Sequence, residues 1–215
     1  MKLILASESP RRRELLRQCG LACEVTAAPV AEEIRAGEKP EAMALRLARE
    51  KARSASRQFA GRGVWILAAD TVVADGELVM GKPRDRRQAE EFLLRLRARE
   101  HRVITGVCLL RLPSGEESDE VAVTAVRMRN YSASEISDYL ASGDAQDKAG
   151  AYAIQHPAFR PVESIGGCYT NVVGLPLCRV YRLLERAGEK PDRPLPEACR
   201  TGRECGLAPV PDPSA

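Results

Sequence analysis

The chain has 215 residues, with 33 Lys+Arg against 30 Asp+Glu and a formal net charge of +3. At 44% hydrophobic and 29% charged it has the make-up of a globular protein of one domain, or one domain and a tail. The low net charge and 4% aromatic content weigh against nucleic acid as a partner, and apolar runs such as Leu3–Ala6 and Val64–Ala69 are too short to cross a membrane.

In chain order, Lys2–Ala6 reads as a short buried strand, followed by a helix with Ser9 as N-cap, Pro10 in first position and Gly20 as its stop. A second helix begins near Pro40, with Leu45, Ala48, Ala52, Ala55 and Phe59 as its apolar stripe. Val64–Ala69 is a continuous apolar run ending at Asp70, as for a strand covered on both faces. Asp75-Gly76 between Thr71–Ala74 and Glu77–Met80 predicts a two-residue hairpin. A third helix follows Pro83, opened by Asp85 and Gln88 and striped by Ala89, Phe92, Leu93 and Leu96. Arg102–Leu112 and Val121–Arg129 are strands. Ser132 and Glu135 form a capping box for a short helix closed by Gly143, and a last helix carries Leu177, Val180 and Leu184 up to Gly188. Strands alternating with helices predict an α/β fold over residues 1–188. Residues 189–215 hold six prolines and little periodicity, which predicts a disordered tail.

The N-terminus has one Lys and one brief apolar run before Glu8, so no secretory leader is expected and the cytoplasm is the expected compartment. Seven cysteines without a C-x-x-C pair fit reduced thiols, with Cys108 in a strand and Cys178 on an apolar helix face. A zinc site from Cys19, Cys23, Cys199 and Cys205 is conceivable, but its spacings are wider than a closed site uses.

Four segments carry polar chemistry. Ala6–Arg13 leaves a strand and enters a helix, where backbone N–H groups, Ser7, Ser9, Arg11 and Arg12 could gather phosphate oxygens; solvated arginines on a first turn are the plainer explanation. Asp70 ends an apolar strand, where open α/β sheets bind ligands, and could serve as base or metal ligand. Pro83 restrains Lys82, which is otherwise an ordinary surface lysine. In Asp147–Gln155 small residues permit close backbone approach, and Gln155 has the paired donor and acceptor to read a base edge.

Each segment is weak alone, but their order is specific. Ser7-x-Ser-Pro-Arg-Arg12, Glu32-Glu33, Ala-Asp-Thr at 69–71, Gly-Lys-Pro at 81–83, Ile-Thr-Gly-Val at 104–107, Asp-Lys-Ala-Gly-Ala-Tyr-x-Ile-Gln at 147–155 and Val-Val-Gly-Leu-Pro at 172–176 resemble the Maf family of nucleoside triphosphate pyrophosphatases, from about Lys2 to about Leu184. The resemblance implies a mixed twisted α/β sheet with flanking helices and two lobes around a cleft, in the manner of the inosine triphosphatases. It implies cleavage between the α and β phosphates and a homodimer. Asp70 would accept a proton; Ser7, Arg11, Arg12, Glu33, Lys51, Lys82 and Lys148 would line the cleft, the cations holding the triphosphate; and Glu33 and Asp70 are the candidate ligands of Mg²⁺ or Mn²⁺. Arg11, Thr71 and Gln155 match the positions that set base choice in the branch acting on dTTP and UTP. The sister branch acting on 7-methyl-GTP has Trp and Gln where Arg11 and Thr71 stand. Ala68, Ala153 and His156 replace glycines usual in the family. Readings from other classes are a nucleic-acid-binding regulator clamping phosphate with Arg11–Arg13, or an interaction protein docking that loop on an acidic partner.

Overall fold

A computed structural model of the chain describes residues 1–191 together with Arg193 and Leu195. It forms β1 (Leu3–Ala6), α1 (Pro10–Gln18), β2 (Cys23–Thr26), α2 (Pro40–Ser56), β3 (Val64–Asp75), β4 (Leu78–Met80) and α3 (Arg86–Leu96). There follow β5 (Glu100–Leu112), β6 (Glu117–Met128), α4 (Ala133–Ala141), β7 (Val162–Gly166), α5 (Tyr169–Val173) and α6 (Leu177–Arg186), with 3-10 turns at Arg57–Phe59 and Ala149–Ala151. The strands make one mixed sheet ordered β2-β1-β3-β5-β6-β7, with β4 joined to β3.

The spine of the sheet is the antiparallel pair β3–β5, in register from Val64↔Leu112 to Ala74↔Arg102. Because β5 occupies one whole edge of β3, the other edge is shared. There β1 runs parallel from Leu3↔Trp65 to Leu5↔Leu67, and β4 runs antiparallel from Val73↔Met80 to Asp75↔Leu78. On that edge, between Leu67 and Val73, no strand of the described residues lies beside β3. That gap separates β1, β2 and α1 on one side from β4, α3, α4 and the Ala149–Ala151 turn on the other, while α2 spans both.

Side chains alternate across the sheet. Leu5, Trp65, Leu67, Ala69 and Val73 join a core completed by α1, α3 and α6, while Ile4, Ala6, Ile66 and Ala68 pack under Ala48, Ala52 and Ala55 of α2. Met43, Ala44 and Leu47 extend that second layer over Val72, Ala74 and Ile104. Cover on both faces explains why β3 is apolar at nearly every position.

Several expectations need correction. The apolar run up to Asp70 and the hairpin arm from Thr71 are one strand that runs on to Asp75, because Thr71–Ala74 keep pairing with β5. The hairpin loop is Gly76-Glu77, one residue later than expected. The buried face of α2 turns toward Met43, Ala44 and Leu47, leaving Leu45 half-buried, and Phe59 belongs to the 3-10 turn. Ser9 stands at the N-cap without a side-chain bond, whereas both bonds of the Ser132–Glu135 box form. Asp85 accepts from Gln88 N at 2.8 Å, but the Gln88 side chain accepts from Arg84 N instead of closing the box. Cys19 and Cys108 are buried and Cys178 is half-buried. Cys199 and Cys205 lie outside the described residues, among which no cluster of three metal-ligating side chains occurs and no helix is long and apolar enough to cross a membrane.

Most of the expected tail also lies outside the described residues. Its first part is anchored: Trp65 Nε1 donates to Glu189 Oε1 at 3.0 Å, Tyr181 Oη donates to the Arg193 carbonyl at 2.9 Å, and Leu195 packs on the core.

Candidate active site

The gap along β3 opens into a cleft of about 470 Å³. Asp70 and Thr71 stand on its floor and, as neighbours on a strand, face opposite sides of the sheet. Asp70 points to the α2 side, opposite Gly106 of β5. A Cβ on Gly106 would lie 2.4 Å from the Ala44 carbonyl oxygen, so only glycine lets α2 settle this close to the sheet. From that position Lys51 of α2 donates to Asp70 Oδ1 and, at 2.8 Å, to Glu32 Oε1. Burial lifts the Asp70 carboxyl above its ordinary pKa; Lys51 and Arg12 pull against that rise, and Glu32 adds to it. Burial also lifts Glu32, but the hydrogen bond and charge of Lys51, with the charges of Lys82 and Arg12, bring it below its ordinary value.

Thr71 points to the other side, into a network centred on Arg12. The guanidinium donates to the Gly174 carbonyl at 2.8 Å, Ser7 Oγ at 3.1 Å and Thr71 Oγ1 at 3.1 Å, and the Thr71 and Thr105 hydroxyls are 2.9 Å apart. Three separate segments therefore fix one cation. Burial lowers the Arg12 pKa, while Asp70 and Glu32 oppose the shift. Of five guanidinium N–H groups these bonds use three, leaving two for a ligand. The turn of the guanidinium into the protein also weakens the idea of Arg11–Arg13 as an outward clamp for nucleic acid or an acidic partner.

The remaining candidates line the same cleft in different states. Lys82 is exposed and makes no ion pair among the described residues. Gln155 is exposed on the wall, beside Tyr169. Arg11 lies 4.0 Å from Asp147, a contact that reaches across the cleft mouth. Lys148 differs from the expectation for a phosphate ligand. It is buried, and its ammonium donates to the Asp144 carbonyl, Asp144 Oδ1 and Asp147 Oδ1 at 2.5–2.7 Å, which uses all three of its donors within the loop.

Among known proteins, the profile described as Maf-like protein matches residues 2–187. The chain belongs to the Maf family. It is 48% identical to a protein named dTTP/UTP pyrophosphatase from Anaeromyxobacter sp. (strain Fw109-5), across 91% of this chain and 92% of that one. A protein of the same name from Myxococcus xanthus (strain DK1622) is 48% identical over 86% of this chain and 92% of its own. One from Thermomicrobium roseum (strain ATCC 27502 / DSM 5159 / P-2) is 44% identical over 98% and 95%.

Within this Maf site one predicted residue is displaced. Glu33 is exposed and does not line the cleft; its carbonyl accepts from Arg46 at 3.0 Å, while its neighbour Glu32 turns to Lys51. Adjacent residues of an extended segment point opposite ways, and nothing in the pair Glu32-Glu33 says which faces inward. The three residues that replace family glycines fit without strain. None of Ala68, Ala153 and His156 has a left-handed backbone, and the His156 ring leaves the cleft to accept from Phe159 N at 3.0 Å and meet Tyr139 edge-on. Gly150, by contrast, is left-handed at φ +69°, and a Cβ there would come within 3.0 Å of Val73. The close approach expected of Ala149–Ala151 is thus an approach to β3 itself. Thr105 and the Gly174 carbonyl, which hold Arg12 and Thr71 in place, were not singled out. Both lie in recognised motifs but show no charge to mark them.

Proposed function

We propose that the protein hydrolyses dTTP and UTP to the nucleoside monophosphate and pyrophosphate. The observation that carries the reading is Asp70: a carboxylate buried in mid-strand, open to the cleft and flanked by Lys51 and Arg12. Burial raises its proton affinity, the direction a general base requires. A water held at Asp70 would attack the α-phosphorus, its proton passing to the carboxylate as the bond to the bridging oxygen breaks and pyrophosphate leaves in line. Negative charge grows on the leaving group, so fixed cations are the main catalytic need. Arg12, with Ser7 holding it from inside the cleft, Lys51 and Lys82 would meet the triphosphate, Arg11 would stand beside Asp147, and Lys148 would keep the loop that carries Gln155 in shape. Gln155 would read the base, and Thr71 would act chiefly by holding Arg12.

A divalent ion fits the residues present. Glu32 and Asp70 converge on a single cation-sized position, now held by the Lys51 ammonium, and offer the hard oxygens that Mg²⁺ or Mn²⁺ prefers beside substrate phosphates. Glu32 replaces Glu33 as the second ligand. When bound, the ion would neutralise charge on the phosphates. The same reading carries a homodimer and a cytoplasmic location, the first checked by sedimentation of the full chain.

The test is a panel of canonical and modified nucleoside triphosphates with Mg²⁺, each followed by inorganic pyrophosphatase and phosphate detection. Release from dTTP and UTP above CTP and the purine nucleotides is expected. A best rate with 7-methyl-GTP, CTP or GTP would overturn the base assignment, and no release from any nucleotide would overturn the activity.

A further inference from the structure

The ammonium of Lys51 occupies the place where two carboxylates meet. It is hydrogen-bonded to Glu32 Oε1 and Asp70 Oδ1 at once, and its side chain is only 13% exposed against 7% for Asp70. Arg12 adds a second positive charge felt by both carboxylates. With Lys82 also acting on Glu32, the positive charges around the two carboxylates already match or exceed them before any ligand arrives. A divalent ion entering alone must break both hydrogen bonds of a buried ammonium and settle beside two fixed positive charges. A triphosphate reverses that balance, because it brings negative oxygens that can take over Lys51 and so release the carboxylates.

We propose that Lys51 keeps the divalent-ion position closed in the nucleotide-free protein, so that the cleft takes the metal–nucleoside triphosphate complex rather than bare nucleotide arriving at a metal-loaded site. The inference rests on the pyrophosphatase reading and adds the form in which the substrate enters. Lys51 therefore has two successive partners: the carboxylate pair in the free protein and a phosphate in the complex.

Mn²⁺ binding to the full chain, followed by loss of the free-ion electron paramagnetic resonance signal, tests this without turnover. Wild type, Lys51→Met and Lys51→Gln are each measured alone and with α,β-methylene-UTP, whose reactive bridge cannot be hydrolysed. Wild type alone should bind Mn²⁺ weakly, in the millimolar range, and with the analogue should lower the free-ion signal below that of a protein-free mixture of Mn²⁺ and analogue. Removing a positive charge adjacent to the carboxylates should tighten nucleotide-free binding by about tenfold or more in either Lys51 variant. Adding Asp70→Asn to the variant should cancel the gain. Micromolar binding by nucleotide-free wild type, no gain in a folded Lys51 variant, or no retention with the analogue would each overturn the proposal. Lys51→Gln serves where Lys51→Met fails to fold, as read by its circular dichroism melt. Failure of the nucleotide panel would sink the activity assignment and leave the nucleotide-free Mn²⁺ measurements on wild type and the Lys51 variants unaffected, so the two failures are distinguishable.

Discussion

At the scale of single residues, Asp70 and Thr71 divide the labour of one strand between the two faces of the sheet. Asp70→Asn keeps the size of the side chain but cannot accept the proton or balance Lys51. Turnover of dTTP should fall about 10²–10⁴-fold with KM little changed, in steady-state assays; a loss of only a few-fold would remove Asp70 from the role of base. Gln155→Ala acts on recognition instead. Thymine and uracil offer an imide N–H between two carbonyls, which a carboxamide can both accept from and donate to, whereas cytosine presents an unprotonated nitrogen and an amine. An unmatched polar group costs about 1–3 kcal/mol, so kcat/KM for UTP should drop about tenfold and its lead over CTP should narrow. Most of the residues involved were legible in the sequence because charged residues in ordered motifs stand out. Two stand differently from the expectation for physical reasons. Glu33 lost to Glu32 on the parity of an extended segment, and Lys148 is engaged by Asp144 and Asp147, a choice of partner that depends on how the loop closes.

At the scale of elements, the position of α2 decides whether Lys51 reaches Asp70, and Gly106 decides the position of α2. The offending atom in Gly106→Ala would be 2.4 Å from backbone, which cannot rotate away as a side-chain tip can. The substitution should displace α2, cost about 1–3 kcal/mol of stability and lower turnover together with Asp70–Lys51 contact. Thermal melts and kinetics on the same preparation check it; a variant with wild-type melting and activity would show that the helix is not held there. The helices and long strands were legible because their apolar periodicity is strong. The short β2, with two exposed residues of four, and the five-residue β7 and α5 were not, since their existence depends on partners far along the chain. Likewise Asp70 closes the apolar run in the sequence but not the strand; pairing across to β5 carries the backbone straight through it.

At the scale of the whole molecule, acid sensitivity should be traceable to His101. It is buried at the start of β5, with Nε2 2.8 Å from Tyr152 Oη and Nδ1 without a partner among the described residues, and burial lowers its pKa to about 4 from the usual 6.5. The folded state thus resists the proton that the unfolded chain takes up. This contribution to stability is full above pH 6.5 and is lost as pH falls toward 4. Glu14, held near 2 mainly by Arg17, and Glu135, held near 2 mainly by the Ser132 backbone, weaken the fold only below their own unfolded value of 4.5. From pH 6.5 to 4.5 the histidine should cost about 2–3 kcal/mol of stability, partly offset by Asp70, whose burial-raised pKa favours proton uptake in the folded state. His101→Gln should remove the histidine's share, read as the difference in slope between variant and wild type in melts taken across that range. Truncation after Gly188 makes a second test. Loss of the bonds to Glu189 and Arg193 should cost about 1–3 kcal/mol, lowering Tm by about 2–4 °C for each, while turnover persists because neither contact touches the cleft. An unchanged Tm would mean these contacts contribute nothing.

The spine of the sheet has a mechanical consequence. Both lobes are built on the same β3–β5 pair, hydrogen-bonded without a break across the gap. Such a cleft is a notch cut into a continuous plank, with no joint about which its halves could swing. Nucleotide exchange would then be expected to begin with side chains and loops at the rim, among them the Arg11–Asp147 contact.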